Sequence, residues 1–299
     1  MSRLLTGVVL GGLGAGVLWL WSHQPAAELQ VLSSPVGNPK RVVSVNITSD
    51  EVLLALAPER LLAVSYLAAD PDISSVVREA EKIPVKLKAD VERIVALAPD
   101  LVVMGAHNTD VARQIEDLGI AVVRVQGFES IEWVRRLITT LGRAIGEPLR
   151  AQQLTADMDE RLKTVAGWVA SRRRPTVLYY SSGGFTPGKG TIFDELVHMA
   201  GGDNLAARLG VIGWQRLSLE QAVMANPEVI LTSDKKWWTS EFSTDFETDP
   251  AFRGVRAIRS GRVYQLPRRL MTTSSHYVAE TVEALARLLH PDAFVSPST

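Results

Sequence analysis

The sequence predicts an α/β protein of two lobes, each a mainly parallel sheet flanked by helices, joined by one long interlobe helix. Three observations lead there. Short apolar, β-branched runs alternate with helical stretches over residues 41–125 and again over 175–289, the pattern of a parallel sheet with crossover helices. A nearly unbroken helical stretch separates these regions. One unit also recurs: DVERIVALAPDLVV at 90–103 is matched position for position by SLEQAVMANPEVIL at 218–231. Both copies have a capping residue, a Glu two residues on, a Pro nine residues on, and then an apolar strand.

The elements follow in order. Arg3 precedes an uncharged run over 4–21, which reads as an export signal. The run is long for a cleaved signal and just long enough to span a bilayer, so residues 1–27 are an export signal or an N-terminal anchor. Residues 28–40, with Ser33, Ser34, Pro35, Gly37, Asn38 and Pro39, read as a linker. The N-terminal lobe spans 41–129. It opens with a strand over 42–45, then a helix capped by a Ser/Thr-x-x-Glu box at Thr48–Glu51. A strand over 61–65, a helix over 91–97, a strand over 101–104, a helix over 111–118 and a strand over 120–125 complete it.

Residues 130–172 form the interlobe segment, broken only by Gly142, Gly146 and Pro148. A helix of ~25 residues after that break is ~37 Å long, about the span of a small domain. It is either an amphipathic helix on one domain or a rigid strut between two. The C-terminal lobe spans 173–291, with strands over 175–180, 229–232 and 262–266, helices over 192–200, 218–225 and 277–289, and a glycine-rich loop over 181–190. Residues 292–299 are a tail.

Composition narrows function. Lys+Arg is 32 and Asp+Glu is 33, which gives a net charge of -1 and no basic surplus for nucleic acid. With no cysteine, disulfides, thiolate metal sites, cysteine nucleophiles and a lipid-bearing cysteine are excluded. No P-loop, Gly-x-Ser-x-Gly elbow, His-Glu-x-x-His or dinucleotide fingerprint is present, so the chain is not expected to be an enzyme. Bilobal α/β proteins bind ligands in the cleft beyond the carboxyl ends of their strands.

The repeated unit, together with GFTPGKGTIFDELVHMAGGDNLA at 184–206 and GWQRLSLEQAVMANPEVIL at 213–231, resembles the helical-backbone class of periplasmic substrate-binding proteins. These serve ABC importers of iron–siderophores, haem and vitamin B12. The resemblance runs from about Arg41 to Pro291. It implies capture of a metal chelate and delivery to an ABC permease dimer in the inner membrane. It also implies a periplasmic location, free or held by an uncleaved N-terminal segment, and no resident cofactor. The alternatives are a receptor for a bare metal ion and a membrane-anchored sensor or scaffold keeping the binding fold.

The ligand-binding candidates lie in loops after strands. Aromatic residues are only 6% of the chain, yet Tyr66, Phe128, Phe185, Trp214, Trp237, Trp238 and Tyr277 all fall there. Flat ligands are held by aromatic faces, which offer apolar area at low entropy cost. Arg268 and Arg269 suit a carboxylate, phosphate or anionic chelate; Lys86, Lys88 and Lys189 are weaker candidates of that kind. His107 and His276 are the histidines in cleft-facing loops and the candidate metal ligands, with Asp70 or Asp234 as the acidic co-ligands. The resemblance adds that Phe185 and Trp214 match pocket positions of vitamin B12-binding members. It also implies that Glu92 and Glu220, one per lobe, dock onto permease arginines.

Overall fold

The computed structural model of the protein describes residues 30–31, 38–127, 129–181, 183–233 and 250–294. The export segment 1–27, Phe128, Asp234, Trp237 and Trp238 lie outside the described residues. Among those described, no helix is long and apolar enough to cross a membrane.

The first lobe holds β1 (Gln30–Val31), β2 (Val42–Ser44), β3 (Leu61–Ser65), β4 (Val85–Leu87), β5 (Leu101–Gly105) and β6 (Ala121–Val125). Their order in the sheet is β1-β6-β5-β2-β3-β4. All pair in parallel except β1, which runs antiparallel to β6 with Gln30 opposite Arg124. The stretch read as a linker thus supplies an edge strand. The helices of this lobe are α1 (Ile47–Leu56), α2 (Val77–Glu81), α3 (Val91–Val95) and α4 (Thr109–Asp117).

The helices α5 (Ile131–Ala144) and α6 (Pro148–Val169) follow. They pack so closely that a Cβ on Gly142 would sit 2.3 Å from the Cβ of Ala151. Helix α6 reaches both lobes: Arg150 donates to the Leu56 carbonyl at 2.8 Å, and Arg161 pairs with Glu283 at 3.4 Å. This is the strut geometry.

In the second lobe, β7 (Thr176–Tyr179), β9 (Asp203–Asn204), β11 (Val229–Ser233) and β12 (Val263–Leu266) form a parallel sheet of order β12-β11-β7-β9. Its helices are α7 (Ile192–Met199), α8 (Leu205–Arg208), α9 (Leu219–Ala225), α10 (Arg256–Arg259), α11 (Arg268–Thr272) and α12 (Val278–Leu289). The glycine-rich loop is more ordered than its composition suggests. It contains β8 (Phe185–Pro187), which pairs antiparallel with β10 (Trp214–Arg216).

Strand alternation explains how the lobes are fixed to each other. Successive side chains point to opposite faces of a sheet. Val42, Leu101, Val103 and Val123 join one buried cluster with α5, α6, α12 and, from the second lobe, Val177, Val229 and Leu231. The intervening Val43, Val102, Met104 and Val122 form the first lobe's outer core, and Leu178, Tyr180 and Ile230 belong to the second lobe's. One face of each sheet therefore packs into a core common to both lobes.

The predicted repeat is structural. In each copy a short helix, capped by Asp90 or Ser218, runs into a strand flanked by its two neighbours. One expectation fails: α1 is capped by Asn46, whose side chain accepts from the Ser49 amide, and not by Thr48. Thr48, Ser49, Asp50 and Glu51 are all buried within the helix. A Ser/Thr-x-x-Glu pattern marks a helix start only where those side chains have solvent or free amides to reach, and here the helix has already begun.

Candidate ligand-binding cleft

Strand ends place the site. Strand β3 stops at Ser65, and the next residue, Tyr66, has a half-exposed ring, at 50%. Lys88, just beyond β4, lies 5.0 Å from its centroid. Across in the second lobe, Phe185 is 45% exposed and the Arg216 guanidinium lies 5.6 Å from its ring. Each lobe therefore presents one exposed ring with a cation over it, an arrangement worth ~0.5–1 kcal/mol at an exposed site.

The β8–β10 ribbon arranges the second-lobe set. Phe185 pairs with Arg216 and Pro187 with Trp214, so by strand alternation all four share one face. The opposite face carries Thr186, which is fully buried. Trp214, at 55% exposed, rests edge-on against Tyr179 with centroids 5.9 Å apart, and Tyr179 is in turn packed on Phe193. Sequence reasoning singled out Phe185 and Trp214 as candidates, but not Arg216 and Tyr179, which only the pairing of two distant short strands brings beside them.

A pocket of about 300 Å³ crosses from Pro71 and Asp72 of the first lobe to Gln265–Arg269 of the second. Arg268 and Arg269 line it from α11, a helix where a loop was expected. Arg269 is not a free anion anchor, because its guanidinium holds Glu280 at 2.8 Å.

In the 273–277 loop, His276 and Tyr277 are half-buried, with ring centroids 4.3 Å apart. Burial, with Arg161 nearby, pushes the His276 imidazole down to about 4. Burial first, and then Glu51 and other carboxylates, push Tyr277 up to about 12. His107 is exposed beside Asn108. Among the described residues no three His, Asp or Glu side chains are grouped to hold a metal ion; Asp234, one of the acidic partners expected, lies outside them.

Two groups that sequence reasoning read as a cap lie beneath the cleft. Asp50 accepts from the Ser65 amide at 3.0 Å and from the Ser65 hydroxyl. Glu51 accepts from the hydroxyls of Thr273 at 2.8 Å and Ser275 at 2.6 Å. Burial raises both carboxyls, Asp50 to about 7, despite these hydrogen bonds. The available signal was that α1 continues straight into Val52-Leu53-Leu54 with no polar face left over.

Glu92 and Glu220 are exposed in the first turns of α3 and α9. Each helix runs back antiparallel to the strand it feeds, so its first turn lies at the carboxyl edge of the sheet. The Ser218 hydroxyl donates to Glu220 at 2.8 Å and holds that carboxyl below the usual range.

This fold and cleft define a two-lobed substrate-binding protein. The chain belongs to the periplasmic binding protein family, whose model matches residues 42–270. It is 28% identical to YvrC of Bacillus subtilis, an uncharacterized ABC transporter substrate-binding lipoprotein, over 86% of this chain and 82% of that protein. It is 30% identical to a cobalamin-binding protein of Halobacterium salinarum over 65% of this chain, spanning about half (54%) of that relative's length. A possible iron-binding periplasmic protein from Staphylococcus epidermidis has the same fold, with a TM-score of 0.72 at 18% identity, covering 85% of this chain and 99% of that one. A periplasmic haem-binding protein from Pseudomonas aeruginosa matches with a TM-score of 0.68 at 24% identity, covering 87% and 95%.

Proposed function

We propose that this protein captures a metal chelate, a corrinoid first among the candidates, outside the cytoplasm and presents it to an ABC permease dimer. The observation that carries the reading is the set of exposed rings at the strand ends, Tyr66 from one lobe and Phe185 with Trp214 from the other. Large apolar rings left half in water offer stacking area to a flat ligand, and the cations over two of them suit its polar rim. The cobalamin-binding relative supports the corrinoid, and the haem- and iron-binding neighbours share only the fold. Glu92 and Glu220 are the groups proposed to meet permease cations.

Titration of the purified protein with cyanocobalamin, haemin and a ferric siderophore, followed by visible absorbance and tryptophan quenching, tests the ligand. Saturable binding of cyanocobalamin is expected. Saturation by haemin or the siderophore instead would reassign the chelate, and binding of none would remove the reading. Trp214→Ala or Phe185→Ala is expected to cost ~1–3 kcal/mol of affinity. Thermal stability should hardly change, since both rings are largely outside the core. Equal losses of affinity and stability would make them structural residues.

A further inference from the structure

Consecutive residues on a helix point about 100° apart. In α1 that rotation sends two neighbouring carboxylates to two different walls of the cleft. Asp50 turns toward β3 and takes both the amide and the hydroxyl of Ser65, the residue immediately before Tyr66. Glu51 turns toward the other lobe. One of its oxygens takes the hydroxyls of Thr273 and Ser275, and the other takes the Ser75 amide at 3.2 Å. Thr273 ends α11, which carries Arg268 and Arg269, and the Ser275 hydroxyl in turn accepts from the Tyr277 amide at 3.3 Å.

All of these bonds are buried or nearly so. Two adjacent carboxylates in such a place are costly: each is desolvated, and burial raises both. An apolar pair would fill the same space at less cost. What the carboxylates add is direction, because each fixes specific donors in a specific segment, and those segments belong to opposite lobes.

We propose that Asp50 and Glu51 form a buried pin that holds the two walls of the ligand cleft at one spacing, Asp50 through Ser65 and Tyr66, and Glu51 through Thr273 and Ser275. Neither needs to touch the ligand; both are positioning residues. The inference rests on the reading of the cleft as the ligand site, but its first test uses no ligand and fails or succeeds independently of it.

The chain has no cysteine, so two introduced cysteines take spin labels without background. Arg113→Cys on α4 and Met224→Cys on α9 place one exposed label on each lobe. The labelled parent is expected to give one narrow interlobe distance. Glu51→Ala, and separately Thr273→Val with Ser275→Ala, should broaden it, and Glu51→Gln, which keeps an accepting oxygen, should restore the narrow distribution. Asp50→Ala should leave the interlobe distance alone and speed amide exchange at Ser65 and Tyr66, and Asp50→Asn, which keeps an accepting oxygen, should not. If the pinned spacing falls to about a tenth of the population, cyanocobalamin affinity should drop about tenfold. Should Glu51→Ala fail to fold, the Thr273→Val/Ser275→Ala pair decides alone, since it leaves the Ser75 bond in place. A parent-like narrow distance in folded Glu51→Ala, or in the Thr273→Val/Ser275→Ala pair, would overturn the proposal.

Discussion

The two lobes carry the same helix–turn–strand unit and anchor it with the same chemistry, yet they defend it to different degrees. In the first lobe Asp100 accepts from the amides of Lys40 and Arg41 at 2.9 and 3.0 Å, fixing β5 to the start of β2. In the second, Glu228 stands at the matching position and accepts from the Thr176 amide at 2.9 Å, fixing β11 to the start of β7. The return bonds match as well, Asp100 amide to Arg41 carbonyl and Glu228 amide to Thr176 carbonyl. Among the described residues the two non-glycine residues with positive φ are Ala98 at 45° and Asn226 at 48°, again equivalent. Gly119 and Gly261, which open the next strand in each lobe, share positive φ too. The backbone path, more than the side chain, is what repeats.

The lobes differ in what surrounds that path. Glu228 is only 7% exposed and is gripped by Arg173 at 2.9 Å and Arg256 at 2.6 Å, so its carboxyl is held down at about 2. On α9, Met224 is 84% exposed and lines a groove of about 460 Å³, whereas the matching residue, just past the end of α3, is Ala96. Equivalent turns thus tolerate different surfaces, because the turn is set by local backbone geometry and the surface is not.

The largest effect should come from the pair whose roles are proposed to be equal. Glu92→Lys with Glu220→Lys is expected to abolish uptake while leaving ligand affinity intact, since like charges facing each other cost several kcal/mol. Either change alone should give a partial loss. Normal uptake by the double variant would leave only favourable placement at a helix N-terminus as the reason for these carboxylates.

Next is the anchor itself. Glu228→Ala should destabilise by ~2–3 kcal/mol, because it strands a buried amide and releases two arginines, and Asp100→Ala by ~1 kcal/mol. Equal shifts in urea midpoints would show that the arginine grip adds nothing. Acid titration sharpens this contrast. A carboxyl lowered on folding contributes stability that is present above its ordinary 4.5 and lost as pH falls toward about 2. His276, lowered from 6.5 to about 4, likewise favours the fold above 6.5 and gives up that contribution between 6.5 and 4. Asp50 acts in the opposite sense: raised from 3.8 to about 7, its contribution is present in acid and lost as pH rises through 7. Between pH 7 and 4 the His276 and Asp50 contributions oppose each other, so unfolding midpoints measured from pH 8 to 2 should show one clear acid step, below 4.5, and Glu228→Gln should remove it.

The smallest effect separates the two turns. A left-handed conformation costs an alanine ~1–2 kcal/mol, whereas asparagine tolerates it. Ala98→Gly is expected to raise stability by up to ~1 kcal/mol once the added chain entropy is counted, and Asn226→Gly to lower it, because the Asn226 side chain also accepts from the Arg256 amide at 2.8 Å. Equal changes in melting temperature would put the strain elsewhere.

Local pattern alone was enough for much of this molecule. Strand β5, the Asp90 and Ser218 caps, the break between α5 and α6 and the repeat itself are legible because each depends on residues within a few positions of one another. Phe185 and Trp214 stood out as candidates in the sequence for a related reason, since aromatic residues are few in this chain and these fall between its predicted elements. Tertiary structure decided what depends on distant partners. It closed β8 on β10 and so set Arg216 over Phe185, tied Arg269 to Glu280, and packed His276 against Tyr277. It also turned Asp50 and Glu51 from an apparent cap into groups reaching Ser65 in one lobe and Thr273 and Ser275 in the other. Periodicity along a chain reports which face of an element is apolar, but not which segment, two hundred residues away, will supply a hydrogen-bond donor to it.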